Sequence, residues 1–508
     1  MIQTKIYKAF IFLLGLLLVA TLLGPAMPTS DYMALKAQPI LAQIAVTDPA
    51  QKVGVIVQKF AGAAGVEKQV VKLGGKITRD LNIINAFAAE LSAGAVIELV
   101  QLRDVRWVSL DAPMQSTACA KCVDTKNLAN AYIRAIKADQ VWNNSPYRQG
   151  TGIGVAVLDS GVNPNGDLYT NMGVNRQVAD VSFNSDYNQN PSDGYGHGTH
   201  VASIVGGDGS ESAGKYIGVA PLVNIVNVKV SNDDGSAMMT DVVAGLQWVL
   251  ENKNTYNIRV VNVSLNSSVA ESYHTSPLDA AVEILWFNKI VVVVSAGNHG
   301  ESALFPPAND PFVITVGAVD DKGTNSISDD VMASFSAYGQ TSDGVKKPDI
   351  VAPGKNIVAR LVNQNMGLAN DHPANTVDNQ YFRMSGTSIS APMVSAAAAL
   401  LLQDEPNLTP DQVKYRLMTT ANKSWAGYNS AKSGAGYLDI YAAIRGTTTK
   451  SANTGVKASQ LLTTGSTPIT WNSVGWNSVG WNTVGWNTVG WNTVGWNTVG
   501  WNSDYWGP

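Results

Sequence analysis

The sequence predicts an α/β protein. A large domain on a buried parallel sheet, layered between helices, follows a smaller α+β unit. Three observations predict this. Between residues 132 and 446, unbroken Val/Ile runs alternate with helical stretches. Strands buried on both faces read as such runs, and strand–helix alternation gives parallel pairing. Between residues 51 and 111 a shorter pattern reads strand, helix, strand, strand, helix, strand. Apolar residues make up 45% and charged residues 15% of the chain, a globular balance that excludes a wholly disordered or fibrous protein. At roughly 150 residues per domain, the 508 residues argue for about three domains.

The charge balance excludes other classes. Lys and Arg total 35 against 39 Asp and Glu, a net charge of −4, and no basic run occurs, which argues against nucleic acid as a partner. Two Cys exclude a disulfide-dense scaffold and a zinc ribbon.

Residues 1–42 read as an export-signal region with no clear cleavage point. Lys5 and Lys8 precede an apolar core of 15 residues, Ala9 to Leu23, broken by Gly24, Pro25 and Ala26. That core falls short of the ~20 residues that span a bilayer. No other apolar run is long enough, so the expectation is a secreted or cell-surface protein without a stable membrane span.

In the unit at 51–111, strands fit 52–57, 76–81, 84–91 and 105–110, and helices fit 66–73 and 93–102. This β-α-β-β-α-β order is ferredoxin-like. About 60 residues is marginal for independent folding. Residues 112–131 are small and polar, a linker holding Cys119 and Cys122 as Cys-Ala-Lys-Cys. In an exported chain the pair reads as a short-loop disulfide rather than a redox or metal motif.

In the domain at 132–446, strands are expected at 154–158, 225–230, 260–265, 290–295 and 312–316. Helices are expected at 239–253, 277–288, 388–403 and 409–421. In such sheets, functional groups gather at the carboxyl ends of the strands. Residues 447–470 read as a second linker. From Trp471 the unit Trp-Asn-Ser/Thr-Val-Gly runs six times, and eight of the 13 Trp lie in the tail at 471–508. A period of five matches neither strand nor helix. The tail reads as an aromatic surface for glycans or further copies of itself, or as low-complexity sequence without a dedicated role.

Three clusters carry chemistry. The first expected strand ends in Val157-Leu158-Asp159-Ser160-Gly161. A Gly-rich stretch, Gly194-Tyr195-Gly196-His197-Gly198-Thr199-His200, opens an apolar run and puts His197 near a helix start. Ser388, in Gly386-Thr387-Ser388-Ile389-Ser390-Ala391-Pro392, opens an Ala-rich helix, where free N–H groups favour a developing oxyanion. Asp, His and Ser are the parts of a nucleophilic triad, and they stand in the chain order Asp159, His197, Ser388. Asn298 follows the longest Val run in Ser295-Ala296-Gly297-Asn298, placing an amide donor at a strand's carboxyl end. His200, Ser385 and Ser390 read as structural, and His274, His299 and His372 as loop residues. Gly-Thr-Ser-Ile-Ser lacks the second Gly of an α/β-hydrolase elbow.

These stretches, with Asn262-Val-Ser-Leu265 and Gly218-Val-Ala-Pro221, resemble the subtilisin-like serine proteases over about residues 130–446. The resemblance implies the three-layer subtilisin-like fold and a secreted endopeptidase acting on proteins and peptides. Asp159, His197 and Ser388 would be catalytic, and Asn298 with the Ser388 N–H would form the oxyanion hole. Leu265 and Gly297 would line the pocket beside the scissile bond, and the backbone of Ser264 to Asn266 would pair with substrate. The unit at 51–111 resembles the family's inhibitor-type propeptide, an intramolecular inhibitor cut away within 112–131. The chemistry needs no cofactor. A structural calcium ion stays open, with Asp167, one residue from a family ligand position, as candidate ligand. Asn266 stands where the family usually has Gly, and Met393 where relatives often have His. Two other classes remain: a surface-adhesion or self-assembly protein carried by the tail, and a non-proteolytic acyl hydrolase with the same triad.

Overall fold

Residues 29–112, 122–170, 173–184, 190–301, 304–361, 366–464, 467–468 and 498–501 are described in a computed structural model. They belong to two units, Met1–Ala118 and Cys119–Pro508. The apolar core of the expected export signal, Cys119 and most of the repeat tail lie outside the described residues.

In the first unit, β1 (Lys52–Lys59), β2 (Lys76–Leu81), β3 (Ala86–Ser92) and β4 (Val105–Leu110) form one sheet in the order β2-β3-β1-β4. All its pairs are antiparallel. Val53, Val55 and Val57 of β1 point inward at the period of two that a half-buried strand requires. Helices Val66–Lys72 and Ala93–Leu99 complete the expected order. Ahead of them stand two helices the sequence reading did not anticipate, α1 (Thr29–Lys36) and α2 (Pro39–Thr47). Met33, Ala37, Leu41 and Ala45 recur every fourth residue, and all four are buried in the unit's core. Gln38 N–H donates to Val108 O of β4 at 2.9 Å. A region read as leader up to residue 42 thus contributes core side chains.

The second unit is built on β5 (Gly154–Asp159), β6 (Gln177–Ser182), β7 (Asn224–Lys229), β9 (Ile258–Val263), β11 (Val291–Ser295), β12 (Ile314–Asp320), β13 (Val331–Met332) and β14 (Ile350–Pro353). Two short strands, β8 (Ala237–Met238) and β10 (Leu265–Ser267), lie outside this sheet. The order is β13-β12-β11-β9-β5-β7-β6, and β14 also pairs with β12. Every pair is parallel except β12–β13. Five strands match expected runs. The edge strand β6 was not expected, because Gln177, Asp180 and Ser182 interrupt its apolar pattern, as suits an edge.

Four longer helices match those expected: Met239–Asn252, Pro277–Phe287, Thr387–Asp404 and Pro410–Thr420. A fifth, His197–Gly206, carries the expected helix start. A Cβ on Gly245 of Met239–Asn252 would meet Leu158 Cδ2, and one on Gly198 would meet Asp159 Cβ. Neighbouring residues of a strand face opposite ways, so these two helices cover opposite faces of the sheet. Every residue of Thr387–Asp404 from Thr387 to Leu402 is buried. Its run of Ala lets it lie close against the strands.

A separate three-stranded sheet has the order β10-β15-β8, where β15 is Thr498–Trp501 of the repeat tail. The five-residue period argued against a strand. A strand of four residues is shorter than one repeat, so that period never conflicts with it.

Behind the sheet, Glu283 and Asp279 of Pro277–Phe287 are buried with Asp310. Burial, then the charge of Asp310, pushes the Asp279 and Glu283 carboxyls well above the usual carboxylate range. Burial pushes Asp310 up to about 6, opposed by the Phe312 N–H and by Lys347 and Lys414. Glu283 Oε1 and Asp310 Oδ2 meet no protein donor among the described residues, so a proton kept on Glu283 serves both. A carboxyl whose folded pKa is raised adds stability below its unfolded pKa, and that stability is lost as pH rises through the folded value. Glu283→Gln replaces the titrating proton with a fixed amide N–H. With Ser388→Ala in both proteins to prevent self-digestion, the unfolding midpoint of the Gln variant should exceed that of its parent at pH 8. The gain should be about 1–3 kcal/mol and vanish near pH 4. Parallel midpoints across that range would show that Glu283 holds no proton.

Candidate active site

The carboxyl end of β5 delivers Asp159. All six residues of β5 are buried, and Asp159 is 0% exposed. Burial pushes its carboxyl up, opposed first by His197 and then by the Ser160 N–H. Ser160 N donates to Asp159 Oδ1 at 2.8 Å.

His197 is the first residue of His197–Gly206. Its Nδ1 lies 2.8 Å from Asp159 Oδ1 and 3.0 Å from Oδ2, and its Nε2 lies 3.0 Å from Ser388 Oγ. Two glycines permit this approach. Gly196 turns the chain into the helix at φ 109°, a region side chains disfavour. A Cβ on Gly198 would collide with Gly161 O and stand 2.9 Å from Asp159 Oδ1.

Asp193, which the sequence reading passed over, holds this helix start. Its Oδ1 accepts from Gly196 N (2.7 Å) and Ser160 Oγ (2.9 Å), and its Oδ2 from Thr199 N (2.8 Å) and Thr199 Oγ1 (2.6 Å). The available signal was an Asp just ahead of a helix start, the residue type that satisfies free N–H groups there. Lys229, 1% exposed, ties the surrounding loops through Ser160 O (2.9 Å), Ser192 O (2.7 Å) and Asp233 (2.6 Å).

Ser388 is the second residue of Thr387–Asp404, where backbone N–H groups have no acceptor within the helix. Four residues on, Pro392 has no N–H, so the Ser388 carbonyl loses its helical donor. Ser264 fills the gap: its hydroxyl donates to Ser388 O at 2.9 Å and accepts from Asn262 Nδ2 at 2.8 Å. Asn262 Oδ1 in turn accepts from Ser395 Oγ at 2.9 Å. The Ser264 side chain therefore positions the backbone of Ser388.

Asn298 follows β11. Its Oδ1 accepts from Thr387 N at 2.9 Å and Thr387 Oγ1 at 3.0 Å. A backbone N–H needs an acceptor, which fixes the orientation of the amide. Asn298 Nδ2 is then buried without a protein acceptor among the described residues. Thr387 Oγ1 also accepts from Gly297 N at 3.0 Å. Thr387 thus orients both Gly297 and Asn298, a role the sequence did not signal. A hydroxyl against an imidazole, that imidazole against a buried carboxylate, and an unspent amide donor beside them form the equipment of nucleophilic acyl transfer.

The other candidates stand as follows. Leu265 is buried in the core and Asn266 Nδ2 donates to Ser295 O at 3.1 Å. His200 Nε2 donates to Phe382 O at 3.0 Å, and burial lowers its pKa to about 3, so it is neutral and structural. Ser390 Oγ donates to Ala352 O at 3.1 Å, and Ser385 Oγ accepts from Asn356 N at 3.0 Å. His299 is exposed, while His274 and His372 are half-buried. Asp167 accepts from Tyr381 Oη on Oδ2 (2.9 Å) and from Glu211 N on Oδ1 (2.8 Å), so both oxygens are used by protein donors. Among the described residues no group of three or more His, Cys, Asp or Glu is placed to hold a metal ion. Cys122 is disulfide-bonded.

Comparison with known proteins agrees with this geometry. The sequence pattern of a family described as "Subtilase family" matches residues 150–455. The chain belongs to the subtilase family. It is 35% identical over 381 residues to the serine protease AprX of Bacillus subtilis (strain 168), covering 73% of this chain and 81% of that protein. It is 33% identical over 293 residues to subtilisin DY of Bacillus licheniformis, covering 57% and 90%. With subtilisin E of Bacillus subtilis (strain 168) it shares 31% identity over 395 residues, covering 75% and 87%. As a subtilase it is a serine-type endopeptidase, and peptides are its substrates.

In this subtilase the Ser264–Ser388 bond has a measurable weight. Ser264→Ala leaves the Ser388 carbonyl without a donor, a loss of about 1–3 kcal/mol. Expected is a kcat about tenfold to a hundredfold lower on a peptide substrate with KM little changed. Pro392→Ala restores a helical N–H, so the same Ser264→Ala change should cost less in that background. Equal losses in both backgrounds would sever the two residues.

Proposed function

We propose that this subtilase is an exported endopeptidase made as a self-processing preproprotein, with Ser388 as nucleophile, His197 as general base and Asp159 as its orienting partner. The single observation supporting it most is the unbroken relay Asp159–His197–Ser388, at 2.8 and 3.0 Å, beside Asn298 Nδ2, which has no protein acceptor among the described residues. His197 Nε2 takes the Ser388 hydroxyl proton as Oγ bonds to the substrate carbonyl carbon. The oxyanion accepts hydrogen bonds from Asn298 Nδ2 and the Ser388 N–H. His197 returns the proton to the leaving amine as the C–N bond breaks. Water then repeats the sequence on the acyl-enzyme and frees Ser388. The positive charge that forms on His197 faces Asp159, whose charge is costly in a dry site until it has that partner.

The first unit acts as an inhibitor-type propeptide, cut away within 112–131, and its β-α-β-β-α-β order supports this reading. Because α1 is a core element of that unit, the export signal ends before Thr29. No helix among the described residues is long and apolar enough to cross a membrane.

Intact mass of the secreted protein tests the reading. Wild type should lose everything up to a point within 112–131, while Ser388→Ala keeps the 51–111 unit and starts upstream of residue 29. Loss of that unit from both proteins would assign maturation to another protease. Asn298→Leu should lower kcat by about a hundredfold to a thousandfold, the usual cost of one oxyanion donor, with KM little altered.

A further inference from the structure

β15 lies between β10 and β8 and pairs antiparallel with both. Leu265 faces Trp501, Asn266 faces Gly500 and Ser267 faces Val499. On the other edge Met238 faces Thr498 and Ala237 faces Val499. Between β8 and β10 there is thus a slot one strand wide. Adjacent strands are about 4.8 Å apart, so only an extended chain can satisfy both edges.

The direction of β15 matters. From Val499 to Trp501 the tail runs from the Ser267 end of β10 towards Leu265. The next residue of that edge is Ser264, whose hydroxyl bonds the Ser388 carbonyl. The tail therefore enters with its carboxyl end towards the nucleophile. Opposite Asn266, the one side chain of β10 whose amide is tied to Ser295 O, stands the residue without a side chain, Gly500.

The same four residues recur. Ser/Thr-Val-Gly-Trp stands at 473–476, 478–481, 483–486, 488–491, 493–496 and 498–501. Resting on the endopeptidase reading, we propose that the repeat tail is a tethered occupant of the β8–β10 slot and holds it against peptide substrates, with its six copies interchangeable. A tethered segment has an effective concentration on the order of 1 mM. Substrate must displace it, which raises the apparent KM without changing kcat.

The test uses the full matured chain. Proline has no N–H for a ladder and is excluded from a central strand. Replacing all six repeat valines by Pro (Val474, Val479, Val484, Val489, Val494 and Val499) should lower the apparent KM for a chromogenic peptide amide about tenfold, with kcat unchanged. Val499→Pro alone should behave as wild type, because a neighbouring copy takes its place. An 11-residue peptide, Trp-Asn-Thr-Val-Gly-Trp-Asn-Thr-Val-Gly-Trp, should inhibit the six-proline enzyme competitively. An unchanged KM with no competition at 1 mM peptide would overturn the proposal. So would a KM that climbs with enzyme concentration, since the tail would then be reaching other molecules. Binding of the labelled peptide to Ser388→Ala proteins, cut at a site-specific protease sequence inserted within 112–131 and separated from the first unit, is read by fluorescence anisotropy and needs no catalysis. The six-proline form should bind at least tenfold more tightly than the form with the native tail. If neither enzyme cleaves peptides but this difference holds, the endopeptidase mechanism fails and the slot assignment stands.

Discussion

The site depends on keeping one carboxylate where water cannot reach it. Asp159 is fully buried at the end of a strand whose every residue is buried, and an isolated charge there is expensive. The fold supplies compensation by contact: the imidazole of His197, the Ser160 N–H, and a loop held by Asp193 and Lys229. The imidazole contact needs the helix His197–Gly206 to come within van der Waals distance of β5, which Gly198 allows. The same parallel sheet ends β9 and β11 on the same side, bringing Ser264 and Asn298 to the serine.

The serine itself is held by an exception to helix rules. Pro392 leaves one carbonyl of the first turn without its usual donor, and that carbonyl belongs to Ser388. Ser264, Asn262 and Ser395 close the gap in a chain of buried hydrogen bonds. A proline inside a buried helix thereby couples the Ser388 backbone to β9, the strand beside β5.

Much of this was legible in the sequence because the signals were local. The Val runs of β5 and β11, the helix Met239–Asn252 and the motif around Ser388 each announce themselves within about fifteen residues. What escaped depends on distant partners. Asp193 and Thr387 matter through what they grip, and a single sequence shows no grip. Strand β6 escaped because an edge strand tolerates Gln177 and Asp180. The helices α1 and α2 were readable in the spacing of Met33, Ala37, Leu41 and Ala45, but the expectation of a leader up to residue 42 drew attention from it. Ser264 was expected to serve substrate through its backbone. Its side chain has a second task that appears only when Pro392 is set beside it.

As the proposed site for an extended chain, the slot between β8 and β10 offers strand-edge backbone groups, which are common to every sequence. What it discriminates is conformation. A stretch of protein held in a helix or inside a sheet has its own N–H and C=O groups engaged and must release them before it can enter. Cleavage of a folded target then scales with how often that stretch opens, which is set by its local opening free energy. On the proposed reading the enzyme surveys the looseness of other proteins: it digests frayed ends and unfolded chains and spares well-ordered neighbours of similar sequence.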